Sequence, residues 1–242
     1  AFKIDAEKET LIRQYAHLKN TTKELTVQGK ALNATYFEPE KTSDYKKHDT
    51  LIYKTADGDK LGYDAVTGQL TYLNIKGLYG DSQTSPDLRI SEKEAIAIAD
   101  EFFAANCDIS KYTFTGCKYY ENSGEYVVKY GLVIQGYRTS ENVSVSITNL
   151  GEIYFFGRNP NVFDDVEIKP VDEQALRVQL DQQVRAHAGD SFVSYDVKGQ
   201  WLAVDENNQL VMMFETIIKF NVTDLDGKTE ILSAGVMFQI KV

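Results

Sequence analysis

An amphipathic helix followed by alternating strands recurs along this chain, and this order favours helices that pack on antiparallel sheets. The clearest helix lies in residues 90–103, which read ISEKEAIAIADEFF. Ser91 and Glu94 have the spacing of a capping box, in which each side chain binds the backbone N–H of the other residue. The apolar residues after them share one helical face: Ala95, Ile98, Ala99, Phe102 and Phe103. We therefore predict a helix over residues 91–104 with one buried face.

The segment after this helix has the period of β-strands. Residues 126–156 read YVVKYGLVIQGYRTSENVSVSITNLGEIYFF, with a turn expected at Gly151. Within this segment apolar and polar side chains alternate: Val143, Ser144, Val145, Ser146, Ile147 and Thr148. Alternate residues of a strand lie on opposite faces, so one face of this sheet is buried and the other is wet. We expect Phe102 to pack against the buried face.

Two other sections repeat this order. In the last section, residues 172–184 form a predicted helix with Leu176, Leu180 and Val184 on one face, and strands over residues 210–242 fold back at Asp226. In the first section, a helix near residues 5–19 precedes a meander over residues 51–75. For residues 20–49 we expect loop mixed with short strands.

The repeats divide the chain into three predicted units, residues 1–86, 87–163 and 164–242. Segments rich in turn formers mark the boundaries, at residues 80–86 and 159–170. Strands follow each helix as meanders, and no alternation of strand and helix typical of a parallel sheet is visible. The predicted fold class is therefore α+β, with tandem units that each pack one amphipathic helix on a short antiparallel sheet.

The pattern in residues 90–156 resembles PepSY-like domains of exported bacterial proteins, in the tandem arrangement of the YcdB/YcdC type. The matching pieces are ISEKEAIAIADEFF, a strand that ends at Gly136-Tyr137, the strand ENVSVSI, and the turn at residues 151–153; residues 63–70 resemble a closing hairpin of the same family. The resemblance implies cystatin-like units, export to the cell surface or lipoprotein attachment, and a role in restraining or binding peptidases or wall-associated partners. It supplies no catalytic residues.

The charge of the chain argues against nucleic-acid binding. The sequence has 36 acidic and 26 basic side chains, a net charge of −10, and no segment concentrates Lys and Arg. Residues 164–242 hold fourteen of the acidic and seven of the basic side chains, a balance that suits a solvated surface or a cationic partner. No apolar run is long enough to span a membrane, so we predict no transmembrane segment. The chain begins at Ala1 rather than Met, which favours a processed or trimmed form and suggests export.

The residue types that usually carry chemistry are scattered. None of His17, His48 and His187 lies four residues from another, and the acidic turns that begin at Asp57 and Asp224 lack ligands that a calcium loop requires. We interpret both turns as hairpins and predict no metal, no cofactor and no catalytic residue. Two cysteines are present, Cys107 and Cys117, and the sequence leaves open whether they form a disulfide or two free thiols.

Tyrosine is the remaining candidate for a binding surface, because its ring packs while its hydroxyl stays in water. The five tyrosines in or beside the middle strands are Tyr119, Tyr120, Tyr126, Tyr130 and Tyr137. They favour either a half-exposed sheet or a recognition patch. The resulting hypothesis is a non-enzymatic extracytoplasmic module, secreted or lipid-anchored, that binds a protein such as a peptidase or a wall hydrolase. The alternative is a carboxylate-dependent hydrolase that acts on a cell-surface substrate.

Overall fold

The structure, a computed structural model, describes residues 6–41, 48–78, 88–159 and 162–242. The described α-helices are α1 (Ala6–Gln14), α2 (Glu92–Asn106) and α3 (Glu173–Ala188). The described strands are β1 (Thr22–Val27), β2 (Lys30–Glu40), β3 (Thr50–Thr55), β4 (Lys60–Asp64), β5 (Leu70–Asn74), β6 (Thr113–Tyr120), β7 (Glu125–Ile134), β8 (Tyr137–Thr148), β9 (Ile153–Arg158), β10 (Phe192–Val204), β11 (Leu210–Thr223) and β12 (Thr229–Lys241). No helix in this described part is long and apolar enough to cross a membrane.

The predicted fold of tandem cystatin-like units, each a helix on its own short sheet, is wrong. In the described residues, strand pairing links twelve strands into one mixed sheet in the order β1-β2-β3-β4-β5-β9-β8-β10-β11-β12, and β7 carries β6 at a branch from β8. The prediction failed because β5, a strand of the first section, pairs with β9, a strand of the middle section. Period-2 alternation identifies the buried face of a strand but not the strand that pairs with its edge.

The chain folds as two compact units. Unit 1 comprises residues 1–132 and 141–162, and unit 2 comprises residues 133–140 and 163–242. The division into three units at residues 86 and 163 stays a prediction. Its first boundary segment, residues 80–86, lies outside the described residues, and so do residues 160 and 161 of the second.

Helix α2 forms the centre of unit 1, as its sequence predicts. The capping box is present, with the N–H of Glu94 3.2 Å from the Ser91 hydroxyl and the N–H of Ser91 2.7 Å from the Glu94 carboxylate. Phe102 and Phe103 are buried in one cluster with the predicted strand face, while Ile98 is half-buried against it. The buried residues of that face are Val143, Val145 and Ile147. The predicted packing of Phe102 is therefore confirmed.

The described part of residues 20–49 holds more regular structure than its polar composition predicts. β1 and the eleven-residue β2 form an antiparallel hairpin in which Val27 pairs with Lys30. Gln28 and Gly29 make the turn with φ values of 48° and 78°. Two successive positive φ values define a type I′ turn, whose twist matches that of the two strands. The hairpin forms because its alternate apolar residues bury on the core face: Leu25, Val27, Leu32 and Ala34.

Unit 2 places α3 on one face of the antiparallel strands β10, β11 and β12. The Asp172 side chain accepts a hydrogen bond from the N–H of Ala175 at 3.0 Å and so caps the helix. The His187 ring lies 5.9 Å from the ring of Phe238, which places the even-numbered face of β12 under the helix. The predicted buried stripe of α3 is confirmed: Leu176, Leu180 and Val184.

Candidate functional site

Three of the five predicted surface tyrosines lie on the face of the β6–β7 hairpin that packs against α2. Tyr119 pairs directly with Tyr126 across the strands, and their ring centroids are 4.8 Å apart. Tyr126 is only 5% exposed, and its hydroxyl donates a hydrogen bond to the Ile90 carbonyl oxygen at 2.7 Å. The Arg89 guanidinium lies 4.5 Å from the Tyr119 ring and covers it. These contacts are those of a packed sheet face rather than an open patch.

Tyr130 belongs to the same face. Its ring packs edge-on against Phe103 at 5.4 Å and against Phe114 at 5.5 Å, and its hydroxyl donates to the Asp100 carboxylate on α2. Burial, together with the hydrogen bond to Asp100 and its negative charge, raises the pKa of Tyr130 to about 12. This hydroxyl is therefore a fixed donor that ties β7 to α2.

The other two predicted tyrosines do not join this group. Tyr120 lies on the opposite face of β6, where the Lys118 ammonium is 4.7 Å from its ring. Tyr137 belongs to unit 2, and its hydroxyl donates to the Glu173 carboxylate, a bond that raises the pKa of Tyr137. The structure thus brings together Tyr119, Tyr126 and Tyr130 only. A recognition role for these tyrosines stays a prediction.

A buried carboxylate that the sequence analysis did not single out lies in the middle of β8. Glu141 is 0% exposed; its Oε1 accepts a hydrogen bond from the Tyr112 hydroxyl at 2.7 Å and lies 2.5 Å from the Lys111 ammonium. Its Oε2 accepts from the backbone N–H of Val162 at 3.0 Å. Burial, followed by the charge of Glu141, raises the pKa of Tyr112. A carboxylate that accepts from these donors is suited to holding segments together rather than to taking a proton from a substrate.

Arg158 lies beside this cluster and extends it towards the end of α2. Its guanidinium carbon is 5.8 Å from the Tyr112 ring, and its Nη2 is 3.4 Å from the Asp108 carbonyl oxygen. The Nε of Arg158 is buried and has no hydrogen-bond partner within the described residues. The sequence signal for the cluster is Glu141 itself, a charged residue on the odd-numbered face of β8, where the strand alternation predicts a buried side chain.

The two cysteines lie on different elements of unit 1, Cys107 at the end of α2 and Cys117 in β6. Cys107 is the C-terminal cap of the helix, and its thiol feels the positive charge of Arg158. Cys117 is close enough to Glu92, in the first turn, for that carboxylate to raise the pKa of its thiol beyond the effect of burial. Both thiols are free in the structure.

One predicted surface histidine takes part in a polar contact. The Nδ1 of His48 is 2.9 Å from the Asp64 carboxylate, whose other oxygen accepts from the N–H groups of Val66 and Thr67. Burial by itself raises the pKa of Asp64, but the hydrogen bonds from Thr67, His48 and Val66 outweigh it, so the pKa lies below its usual value. The carboxylate thereby fixes the turn after β4.

The two acidic turns are hairpins, as predicted. The Asp59 carboxylate accepts from the Thr55 hydroxyl at 3.1 Å and from the N–H of Lys76 at 2.9 Å. Asp224 accepts from the N–H groups of Asp226 and Lys228. Among the residues that the structure describes, no group of three or more His, Cys, Asp or Glu side chains could hold a metal ion.

Among the described residues, the most exposed apolar side chain lies at the end of the sheet in unit 2. β12 is the last strand in the pairing order, and beyond Phe220, where the pairing of β10 ends, the β11–β12 hairpin continues as an arm of residues 221–231. The Leu225 side chain at its tip is fully exposed. Other apolar side chains along the arm and β12 are exposed as well: Val222, Ile231, Leu232 and Met237. In the sequence, an uncharged run over residues 231–240 marks β12 but not the tip of the arm.

No protein-family model matches this chain, and no curated protein matches it significantly. Among solved structures, the chain is similar to the Bacillus megaterium YpeB C-terminal domain, with 12% sequence identity and a TM-score of 0.39. The match covers 95% of this chain and 98% of that chain. A TM-score at this level marks a distant structural neighbour, and we assign neither family nor function from it.

Proposed function

We propose that this chain is a non-enzymatic extracytoplasmic module that binds a protein partner by adding a strand of that partner to the edge of β12. The observation that carries the proposal is the open edge of this strand, which is thirteen residues long and pairs only with β11 among the described strands. An unpaired edge presents a row of free backbone N–H and C=O groups, which is a template for an added strand.

The register of β12 identifies these free groups. The N–H of Val242 donates to Leu210, so residue 242 and the even-numbered residues before it bond to β11. The backbone groups of Ile231, Ser233 and Gly235 therefore point away from β11. Natural edges are usually protected by charges, proline or a bulge. Between Glu230 and Lys241, β12 has none of these.

The resemblance of residues 90–156 to PepSY-like domains supports the choice of partner and location. Such domains are found in exported proteins, and their proposed role is to bind or restrain peptidases or wall-associated proteins. The proposed partner is accordingly a peptidase or a cell-wall hydrolase outside the cytoplasm, with secretion or a lipid anchor as the route.

The test compares two variants at Ser233. Ser233→Pro deletes an outward N–H without removing a bond to β11, and Ser233→Thr is the matched control because it keeps the N–H. Wild-type and variant proteins are immobilised and exposed to an extract of the native cell envelope, with far-UV circular dichroism as the check of folding. We expect one or more proteins retained by wild type and by Ser233→Thr to be lost from Ser233→Pro.

The partner retained in this way is then purified and its peptidase or wall-hydrolase activity is measured with and without the wild-type chain. A changed activity that Ser233→Pro fails to produce supports the regulatory role. Retention of the same proteins by Ser233→Pro contradicts docking at β12. Turnover of peptide or peptidoglycan by the purified chain alone, abolished by changing one carboxylate, contradicts the non-enzymatic assignment and favours the hydrolase.

A further inference from the structure

Unit 1 has a groove between its edge strand β1 and helix α2. β1 is the first strand in the pairing order, and within the described residues its outer edge has no strand partner. The groove has a volume of about 380 Å³. Its apolar lining comes from β1, from α2 and from the start of β9: Leu25, Ile98, Phe102, Ala105 and Ile153. A groove next to an open edge combines main-chain bonding with a place for side chains.

The register of β1 directs backbone groups along this groove. The N–H of Tyr36 donates to the carbonyl of Thr21, and the two-residue turn makes Val27 and Lys30 the first bonded pair. Odd-numbered residues of β1 therefore bond to β2, and the N–H and C=O groups of Glu24 and Thr26 point outwards. Both residues line the groove.

Gln28 fixes the end of the groove. The side-chain Nε2 of Gln28 donates to the Gly151 carbonyl oxygen at 2.7 Å, and the side-chain Oε1 accepts from the N–H of Ile153 at 3.0 Å. These two bonds attach the β1–β2 turn to the start of β9. The edge of β1 is thus held in place before any ligand arrives, which lowers the entropy cost of adding a strand.

The rim of the groove carries two negative charges on opposite sides. Glu24 projects from β1, and Glu101 projects from α2. Both side chains are exposed, and neither makes an ion pair with another described residue. Carboxylates on both sides of an apolar groove disfavour an anionic ligand and favour a cationic one.

We propose that this groove binds an extended peptide segment in which apolar and basic side chains alternate, added as a strand to β1. The peptide residue that lies opposite Leu25 is on the same face of the sheet as Leu25, and it places an apolar side chain in the groove beside Ile98. The residue opposite Glu24 lies on the other face, where Arg or Lys pairs with that carboxylate. Glu101, on the helix side of the rim, adds negative potential that favours the basic segment at longer range. This site lies on β1 rather than β12, so it does not rest on the proposed function.

The test measures binding of end-blocked, fluorescent peptides to the full chain by fluorescence anisotropy. The probe alternates Arg with Leu, and its matched control alternates Glu with Leu. We expect wild type to bind the Arg peptide at least about tenfold more tightly than the Glu peptide, as expected when two charge pairs change sign. Changing Glu24 and Glu101 together to Lys should reverse this preference, an outcome that loss of folding cannot produce.

Two further variants separate the groove and the edge. Ala105→Trp fills the groove and should weaken the Arg peptide about tenfold or more, whereas Ala104→Trp, on an exposed position of α2 outside the groove, should not. Thr26→Pro removes an outward N–H and should weaken binding, whereas Thr26→Val should not. Three outcomes overturn the proposal. The Arg peptide fails to bind wild type, it binds Ala105→Trp and Thr26→Pro normally, or the protein still prefers the Arg peptide after both charges are reversed.

Discussion

Replacing Glu141 by Ala should destabilise unit 1, because this carboxylate is the acceptor for donors from separate segments. The Tyr112 hydroxyl is buried, and leaving it without an acceptor costs about 1–3 kcal/mol. The half-buried N–H of Val162 adds about 1 kcal/mol. Lys111 is partly exposed and regains water, so its lost ion pair contributes little. We expect the free energy of unfolding to fall by about 2–4 kcal/mol.

Urea unfolding followed by far-UV circular dichroism measures this loss. Hydrogen exchange of backbone amides should locate it in unit 1, while fluorescence of Trp201, the single tryptophan, reports on unit 2. A double-mutant cycle isolates the central bond. Combining Glu141→Ala with Tyr112→Phe should cost about 1–2 kcal/mol less than the sum of the single changes, because the orphaned hydroxyl is then absent. A Glu141→Ala protein within about 0.5 kcal/mol of wild type, or strictly additive variants, would refute the reasoning.

Three other outcomes are expected. Phe102→Ala should lower the free energy of unfolding by about 3–5 kcal/mol in a urea titration, since the ring is buried in the main core cluster. When the chain is unfolded without reductant and alkylated, intact mass spectrometry should show that both Cys107 and Cys117 are modified. In the folded chain at pH 8, Cys107 should react slowly, because burial raises the pKa of its thiol to about 11. The Asp64 carboxylate, with its lowered pKa, stabilises the fold above about pH 4 and loses this effect as pH falls through its folded value, so the stability gap to Asp64→Asn should close in acid.

The elements that the sequence predicted well are those that local interactions determine. Ser91 and Glu94 cap α2 through bonds that span three residues, and the stripe on α3 follows directly from its period. The alternation over residues 143–148 likewise identified the face that meets α2. None of these features depends on a residue far away in the chain.

The sheet order depends on such distant residues, which explains the failed fold prediction. Tyr72 pairs with Gly157 across more than eighty positions of sequence, and nothing within either strand specifies the other. The hairpin at Gln28 was missed for a different reason. Its strands carry polar and charged side chains on one face, so the segment as a whole has a polar composition. The turn conformation and the buried row that includes Leu25 nevertheless favour the hairpin.

The alternation of faces along a strand is enough to show that the five predicted tyrosines do not all share one face of the sheet. Tyr119 and Tyr120 are neighbours on β6, and neighbours on a strand lie on opposite faces. Tyr126 and Tyr130 are four positions apart on β7 and share a face, as the structure has them. The charged partners of these hydroxyls, such as Asp100 on α2, could not be identified in this way because they depend on how the helix packs on the sheet.

The two open edges differ in the partners that they can select. β12 is uncharged from residue 231 to residue 240, so an added strand gains main-chain bonds and apolar contact but little electrostatic selection. β1 has its free backbone groups beside a groove, and the two carboxylates at the rim make no ion pair with another described residue, so a ligand with acidic side chains is repelled. Raising the salt concentration should therefore weaken the Arg peptide at β1 markedly and affect docking at β12 much less. Equal salt dependence at the two edges would mean that the carboxylates at β1 do not determine its choice of ligand.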